Sequence, residues 1–132
     1  MVFFGEYSVS FTGQGRIVLP KKIRELLKGN TFVITTGFDS CLAGFDRDDW
    51  ETRAKELLSV SLLDKENIYK RRQLFSSAAY VDIDEQGRFV VPKNLMKMLT
   101  AGSRAVIIGV GDHFEVWDEE KWSEYKSRAG EE

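Results

Sequence analysis

The chain has 132 residues, of which 42% are hydrophobic and 30% charged, and its net charge is −2. This composition is typical of one soluble globular domain and argues against a disordered chain. Since the sequence has no apolar run of about 20 residues, no basic signal-peptide start and only one cysteine, we expect a cytoplasmic protein without a membrane span or internal disulfide. The slightly acidic net charge by itself disfavours nucleic-acid binding.

The two halves of the chain resemble each other when one is shifted by 72 residues. The segment FTGQGRIVLPKK at 11–22 aligns with IDEQGRFVVPKN at 83–94, and 11 of the 42 pairs from position 9 to position 50 are identical. The same ungapped shift places Gly37 on Gly109. The chain is therefore interpreted as one unit of about 45 residues present twice. Units this small are marginal alone, so we expect them to share one core.

Each unit is predicted to contain, in chain order, a strand, a glycine turn, a short strand, a helix after proline, two strands and a helix capped by aspartate. Period-two hydrophobicity predicts the first strand, and glycine permits the tight turn. In the first unit these elements are the strand around 3–11, the turn 12–15, the strand 16–19, the helix after Pro20, the strands 31–36 and 41–45 and the helix after Asp46. In the second unit they are 79–83, 84–87, 88–91, the helix after Pro92, 105–108, 113–117 and the helix after Asp118.

This order lacks the spacing of parallel βαβ units. It predicts a mainly β fold of the α+β class, a small barrel with peripheral helices. The expected boundaries are a first unit at 5–47, a helical connector at 48–75, a second unit at 76–119, and a C-terminal helix and tail at 120–132.

The strongest repeated polar feature is a Gln-Gly-Arg turn followed by Pro-Lys. The glycine frees the backbone at the tip, and the arginine that follows offers a planar fork of donors suited to phosphate or to a guanine edge. The candidate DNA-contacting residues are Gln14, Arg16, Lys21, Lys22, Arg24, Gln86, Arg88 and Lys93. The residues expected to support the turns are Thr12, Gly15, Asp84 and Gly87.

Charge is strongly segregated along the chain. Residues 14–28 and 86–100 together carry +7, and the remaining residues carry −9. A focused basic patch can attract a polyanion even on a slightly acidic protein. The structural alternative is that these lysines and arginines form a solvated face and that the turns are only turns.

Metal and cofactor chemistry finds little support in the sequence. One histidine, His113, and one cysteine, Cys41, are too few for a typical metal site, and they align with each other as a strand position. No phosphate-loop signature and no Ser/His/Asp arrangement stands out. We therefore expect no metal, no cofactor and no enzymatic activity.

With these motifs the chain resembles the MraZ family, within the larger AbrB-like (SpoVT-AbrB) group of transcription factors. The resemblance rests on the duplication and on an Asp-x-x-x-Arg turn, present in full as Asp84-Glu85-Gln86-Gly87-Arg88 and in part as Thr12-Gly13-Gln14-Gly15-Arg16. The ending Phe114-Glu115-Val116-Trp117-Asp118 is also similar.

The resemblance implies two AbrB-like units with pseudo-twofold symmetry that form one compact barrel-like core, and ring-shaped homo-oligomers. It implies a nucleoid-associated regulator, usually a repressor, that binds double-stranded DNA at short direct repeats upstream of its own division and cell-wall operon. By matching position, Arg16 and Arg88 would contact the DNA, with Lys21 and Lys93 nearby.

Thr12 departs from the family motif, which has aspartate at this position. An aspartate can accept backbone hydrogen bonds in the turn and also pair with the arginine four residues later, whereas a threonine hydroxyl can only do the first. We therefore expect Arg88 to be held and Arg16 to be freer.

Three other functions remain open from the sequence. An AbrB-type antitoxin or autoregulator would bind a protein partner, although the tail SEYKSRAGEE is short for that purpose. A small enzyme is disfavoured by the shortage of histidine, cysteine and clustered buried carboxylates. An assembly scaffold would make no DNA contact, and a gel shift with the upstream DNA of the chain distinguishes it from a regulator.

Overall fold

The structure is a computed structural model that describes residues 1–13, 15–59, 61, 63–99 and 104–130. Within these ranges the strands are β1 (Glu6–Thr12), β2 (Arg16–Val18), β3 (Thr31–Thr36), β4 (Leu42–Asp46), β5 (Ala79–Asp82), β6 (Arg88–Val90), β7 (Arg104–Gly109) and β8 (Phe114–Asp118). The helices are α1 (Lys21–Arg24), α2 (Arg47–Leu58), α3 (Lys65–Ser77), α4 (Lys93–Met96) and α5 (Glu119–Gly130), and a 3-10 turn, Lys97–Leu99, follows α4.

The eight strands form one antiparallel sheet in the order β5-β3-β4-β8-β7-β1-β2-β6. The two end strands, β5 and β6, are joined by a short turn and lie in contact. In that turn the Asp84 amide donates to the Arg88 carbonyl at 2.8 Å. The sheet thus curves into a nearly closed barrel, which confirms the predicted mainly β architecture.

The two units complete each other by exchanging strands. β1 of the first unit pairs with β7 of the second, and β5 of the second pairs with β3 of the first. Equivalent strands meet at two places, where Ile17 faces Phe89 in the β2–β6 pair and Ala43 faces Glu115 in the β4–β8 pair. A pseudo-twofold axis passes through both pairs, so neither unit can form this sheet alone.

The structure corrects the ungapped repeat alignment at the third strand. Phe32 pairs with Asp46 in the first unit, whereas Ala105 pairs with Asp118 in the second. Relative to β3, β7 therefore lies one residue later in the chain than the 72-residue shift predicts. The loop after β7 (110–113) is one residue shorter than the loop after β3 (37–41), which restores the shift at β4 and β8. Gly37 and Gly109 are therefore not equivalent.

A single core draws on both units, as expected. Phe32 and Ile17 of the first unit are fully buried, and Phe89 and Phe114 of the second are at most 1% exposed. The Phe32 ring lies edge-on to Phe89 at 5.1 Å and tilted against Phe114 at 5.4 Å between ring centroids. Burying apolar surface across the unit boundary drives folding of both units together.

The helices lie around the sheet, and α2 and α5 begin directly after the predicted Asp46 and Asp118. The Asp46 carboxylate accepts a hydrogen bond from the Asp48 amide at 3.3 Å, and Asp118 accepts one from the Lys121 amide at 3.3 Å. Helix α3 is tied to β3 because the Thr35 hydroxyl donates to the Leu74 carbonyl at 2.7 Å. Among the helices of the described ranges, none combines the length and the apolar character needed to cross a bilayer.

Candidate nucleic-acid interface

The two short strands β2 and β6, which begin at the arginines of the two turns, pair antiparallel with each other at the end of the sheet, and we call this pair the ribbon. On its other side β2 pairs with β1. Arg16 faces Val90, and Val18 faces Arg88. Because Ile17 and Phe89 point into the core, these four neighbours all lie on the outer face of the ribbon. The two arginines occupy one diagonal of this face and the two valines, 36% and 48% exposed, occupy the other.

The second turn holds its arginine with a carboxylate. Oδ1 of Asp84 accepts hydrogen bonds from the backbone amides of Gln86 and Arg88, both at 2.9 Å. Oδ2 of Asp84 accepts from the Arg88 Nε at 3.0 Å. The Arg88 amide above all, then the Gln86 amide and the Arg88 guanidinium, hold the pKa of Asp84 below its usual value. The Gln86 side chain is exposed at the tip.

The first turn differs from the second in its side-chain contacts and in its backbone, since Gly13 has a φ of 69° whereas the aligned Glu85 does not lie in the positive-φ region. The Thr12 hydroxyl donates to the Arg16 carbonyl at 3.4 Å, and among the described residues it has no hydrogen bond with the Arg16 guanidinium. Arg16 is exposed, and the described part of the chain provides it with no ion pair. The expected contrast between a held Arg88 and a freer Arg16 is therefore present. Gln14 lies outside the described residues.

Each turn is bound to the other unit through the glycine before its arginine. The Gly15 carbonyl accepts a hydrogen bond from the Val91 amide, and the Gly87 carbonyl accepts one from the Leu19 amide, both at 2.8 Å. Both glycines have positive φ, 74° and 79°, which glycine adopts with little strain. These reciprocal bonds fix the two turns relative to each other.

A different side chain packs against the glycine of each turn. The Arg24 guanidinium packs against Gly87, since a Cβ built there would lie 2.5 Å from Arg24 Cζ, and Arg24 Nε donates to the Leu19 carbonyl at 2.8 Å. At the equivalent place, Met96 lies beneath Gly15, with its Sδ 3.2 Å from a built Cβ. Arg24 is thus a partly buried support of the second turn as well as a candidate DNA contact. Sequence reasoning missed this role, although the Arg/Met difference at these aligned positions signals an asymmetry.

The candidate lysines flank the ribbon on exposed positions of the two short helices. Because the Leu19 amide is bonded to Gly87, α1 begins beside the second turn and brings Lys21 and Lys22 there. By the equivalent bond from Val91, α4 begins beside the first turn and brings Lys93 there. The exposed pair of Lys21 with Glu25, at 3.8 Å, is weak because water screens it. The structure thus brings lysines of both basic segments beside one ribbon.

Within the described residues, no cluster of three or more His, Cys, Asp or Glu side chains could hold a metal ion. The ribbon is instead a surface of arginine forks, lysines and small apolar side chains. Such a surface can pair with phosphates and hydrogen-bond to base edges.

The fold and the ribbon define a class of protein, one built from a duplicated β unit with two paired arginine turns. Sequence comparison agrees with this class. The family described as "MraZ protein, putative antitoxin-like" matches residues 2–72 and 74–132. The chain belongs to the MraZ family.

Several relatives are similar over most of their length, and each is named "Transcriptional regulator MraZ". The protein from Roseiflexus castenholzii is 40% identical over 121 residues, which cover 92% of this chain and 84% of the relative. The protein from Clostridium beijerinckii is 40% identical over 124 residues, covering 94% and 87%. The protein from Lactiplantibacillus plantarum is 36% identical over 126 residues, covering 96% and 89%.

Proposed function

We propose that this chain is a transcription regulator that binds double-stranded DNA with the β2–β6 ribbon and its two turns. The observation that carries the proposal is the placement of Arg16 and Arg88 on one diagonal of a single outward face. The major groove of B-DNA admits a two-stranded β-ribbon, and arginine is its commonest specific reader. The name of the relatives, transcriptional regulator, supports the same function.

The two arginines are assigned different tasks. Since Asp84 engages Nε of Arg88, the two terminal nitrogens of that guanidinium remain available as an oriented fork for O6 and N7 of a guanine. Arg16 has no such restraint within the described residues, so it suits a phosphate, which tolerates many approach angles. Lys21, Lys22 and Lys93 add further phosphate contacts, and Gln86, exposed at the tip of the same turn as Arg88, is assigned a further base contact.

The regulator is proposed to work as a homo-oligomeric ring that represses its own division and cell-wall operon from short direct repeats. Each subunit offers only a small ribbon, so one subunit on one repeat would bind weakly. Several ribbons on one assembly bind tightly because each contact raises the effective concentration of the next. The site of action is the nucleoid in the cytoplasm, and the activity requires no metal or cofactor.

A binding titration tests the ribbon assignment. The native chain and the Arg16→Ala/Arg88→Ala variant are titrated against labelled DNA from the upstream region of the chain's own gene, followed by gel shift and fluorescence anisotropy. We expect the double variant to lose at least about tenfold in affinity, since the Arg88 base contact is worth about 1–3 kcal/mol and the Arg16 phosphate contact adds to it. Arg71→Ala/Arg72→Ala on α3 removes the same charge away from the ribbon and should bind almost normally.

The proposal fails if the ribbon variant folds and assembles like the native chain and still binds with native affinity. The ring is tested separately, by native mass spectrometry and by the dependence of affinity on the number of repeats in the DNA. Affinity that rises no more than additively from one repeat to three would contradict the linked binding of several subunits.

A further inference from the structure

A cavity of about 520 Å³ lies between α2 and α3, and none of its lining residues belongs to the ribbon or its turns. Its volume falls within the range of about 300–1,000 Å³ that small-molecule sites occupy. The proposed DNA contacts make no use of this cavity.

Aromatic rings form one wall of the cavity. Trp50 lies between Phe45, at 5.4 Å, and Phe75, at 5.9 Å, measured between ring centroids. The His113 imidazole stacks on Phe45 at 5.0 Å with only 17° between the planes. Flat, polarisable surfaces of this kind favour a planar ligand, which can stack on them or meet them edge-on.

A buried polar group in the cavity lining lacks a partner. Asn67 of α3 is 6% exposed, and its Nδ2 makes no hydrogen bond in the described structure. An unmet donor of this kind is unfavourable unless something else accepts from it. A ligand with a carbonyl or ring-nitrogen acceptor would satisfy it.

The charged side chains around the cavity argue against an anionic ligand. Four carboxylates line it, Glu56, Asp64, Glu66 and Asp112, against two cations, Arg53 and Lys70. Arg53 is engaged with Asp112 at 2.6 Å. The local excess of negative charge disfavours anions, because like charges repel more strongly where water is partly excluded.

The same region of the second unit is closed by its own side chains. Phe45, Trp50 and Arg53 correspond through the 72-residue shift to Trp117, Trp122 and Tyr125. There the three rings contact one another, with centroid distances of 5.1 Å from Trp117 to each of the others and 5.8 Å between Trp122 and Tyr125. In the first unit, Arg53 forms an ion pair with Asp112 instead, and α3 packs over the aromatic rings. The cavity is therefore a property of the first unit and not of the repeat.

We propose that the cavity between α2 and α3 binds a small, neutral, planar molecule with a hydrogen-bond acceptor directed at Asn67. The proposal does not depend on DNA binding. α3 leads directly into β5 and the Asp84 turn, so a ligand bound there would lie against the helix that precedes the second arginine turn.

A fluorescent probe of matching chemistry tests the site on the full chain. The neutral naphthalene dye 6-propionyl-2-dimethylaminonaphthalene has a planar ring and one carbonyl, and its emission shifts to shorter wavelength in an apolar site. We expect saturable binding of one dye per chain. Ala54→Phe fills the cavity and should weaken binding at least about tenfold, whereas Thr52→Phe, exposed on the same helix and outside the cavity, should leave it unchanged.

A second variant isolates the hydrogen bond and does not rely on Ala54→Phe folding. Asn67→Leu should weaken binding of the carbonyl dye about three- to tenfold, the effect of one hydrogen bond, and leave binding of the carbonyl-free 2-dimethylaminonaphthalene unchanged. Equal losses for both dyes, unsaturable binding, or native binding by Ala54→Phe would overturn the proposal. So would a change in the mass of the assembly in Ala54→Phe, because it would show that a second copy of the chain occupies the cavity.

Discussion

The turns that carry Arg16 and Arg88 occupy equivalent places about the pseudo-twofold axis, yet the described side chains that contact them differ. In the second turn, Asp84 binds two amides and the guanidinium, and Arg24 lies beneath the glycine. In the first turn, the Thr12 hydroxyl donates to the Arg16 carbonyl, and Met96 lies beneath Gly15. Duplication therefore preserved the arginine and the positive-φ glycine before it while the supporting contacts diverged, which allows one turn to be rigid and the other adaptable.

The largest expected difference between the turns is in DNA binding by the single arginine variants. Arg88→Ala should cost about 1–3 kcal/mol on the native upstream DNA and much less on a scrambled sequence, because it removes a base contact. Arg16→Ala should weaken binding to both sequences alike and reduce the slope of log K against log salt by about one. Anisotropy titrations at four salt concentrations measure both quantities. If the two variants lost affinity and specificity equally, the proposed division of roles would be wrong.

The next largest difference concerns the glycines of the two turns. Gly15→Ala and Gly87→Ala both force a residue with a side chain into positive φ, at a cost of about 1–2 kcal/mol in the free energy of unfolding. Gly87→Ala should cost more, because the added methyl displaces the Arg24 guanidinium from the Leu19 carbonyl, worth about 0.5–1.5 kcal/mol. Gly13→Ala, with φ 69° and no atom within 4 Å, is the control for strain alone. Urea unfolding of the three variants ranks them, and equal costs would show that the support beneath the turn is unimportant.

Thr12→Asp gives the first turn the carboxylate of the second and should make the two more alike. We expect the Arg16 Nε–H to become protected from solvent exchange in NMR spectra, as the Arg88 Nε–H is expected to be. Operator affinity should change by less than about tenfold, because the gain from ordering one side chain is about 0.5–1.5 kcal/mol and the added carboxylate repels phosphate. Unchanged exchange of the Arg16 Nε–H would mean that more than the carboxylate distinguishes the turns.

The smallest expected effect is on the pH dependence of stability. Because the folded protein lowers the pKa of Asp84 below its ordinary 3.8, the ionised carboxylate stabilises the turn above that value. This stabilisation is lost as the pH falls through the lowered pKa. The stability difference between the native chain and Asp84→Thr, measured by thermal unfolding from pH 7 to pH 2.5, should therefore be constant at neutral pH and close below about pH 4. A difference that did not narrow between pH 4 and pH 2.5 would contradict the role of the charge.

Much of the candidate site could be predicted from local sequence. Glycine before arginine predicted the turns, and proline followed by lysine predicted where the next helices begin, because these signals act within a few residues. The Thr12/Asp84 difference predicted that the two arginines are held differently. The ungapped alignment failed at β7, however, since a one-residue shift is visible only when β7 pairs with β8 beside it.

Local sequence could not predict that Arg24 supports the second turn, nor that a cavity lies beside Trp50. Arg24 reaches Gly87 across 63 positions only because the units exchange strands. The cavity exists because α3 covers the first aromatic cluster, whereas Tyr125 fills the second. Contacts of this kind are set by packing between distant segments, which no periodicity within one segment encodes.

The amino-acid sequence by itself determined the duplication, the order of strands and helices within each unit, and the two arginine turns with Thr12 in one and Asp84 in the other. These features depend on local backbone preferences and on the alternation of apolar residues. Only the tertiary structure decided that the turns lie side by side on one ribbon, because that requires β2 and β6 to pair across the pseudo-twofold axis. It also explains how an acidic chain can present a basic surface: two segments 72 residues apart are brought together by the shared hydrophobic core.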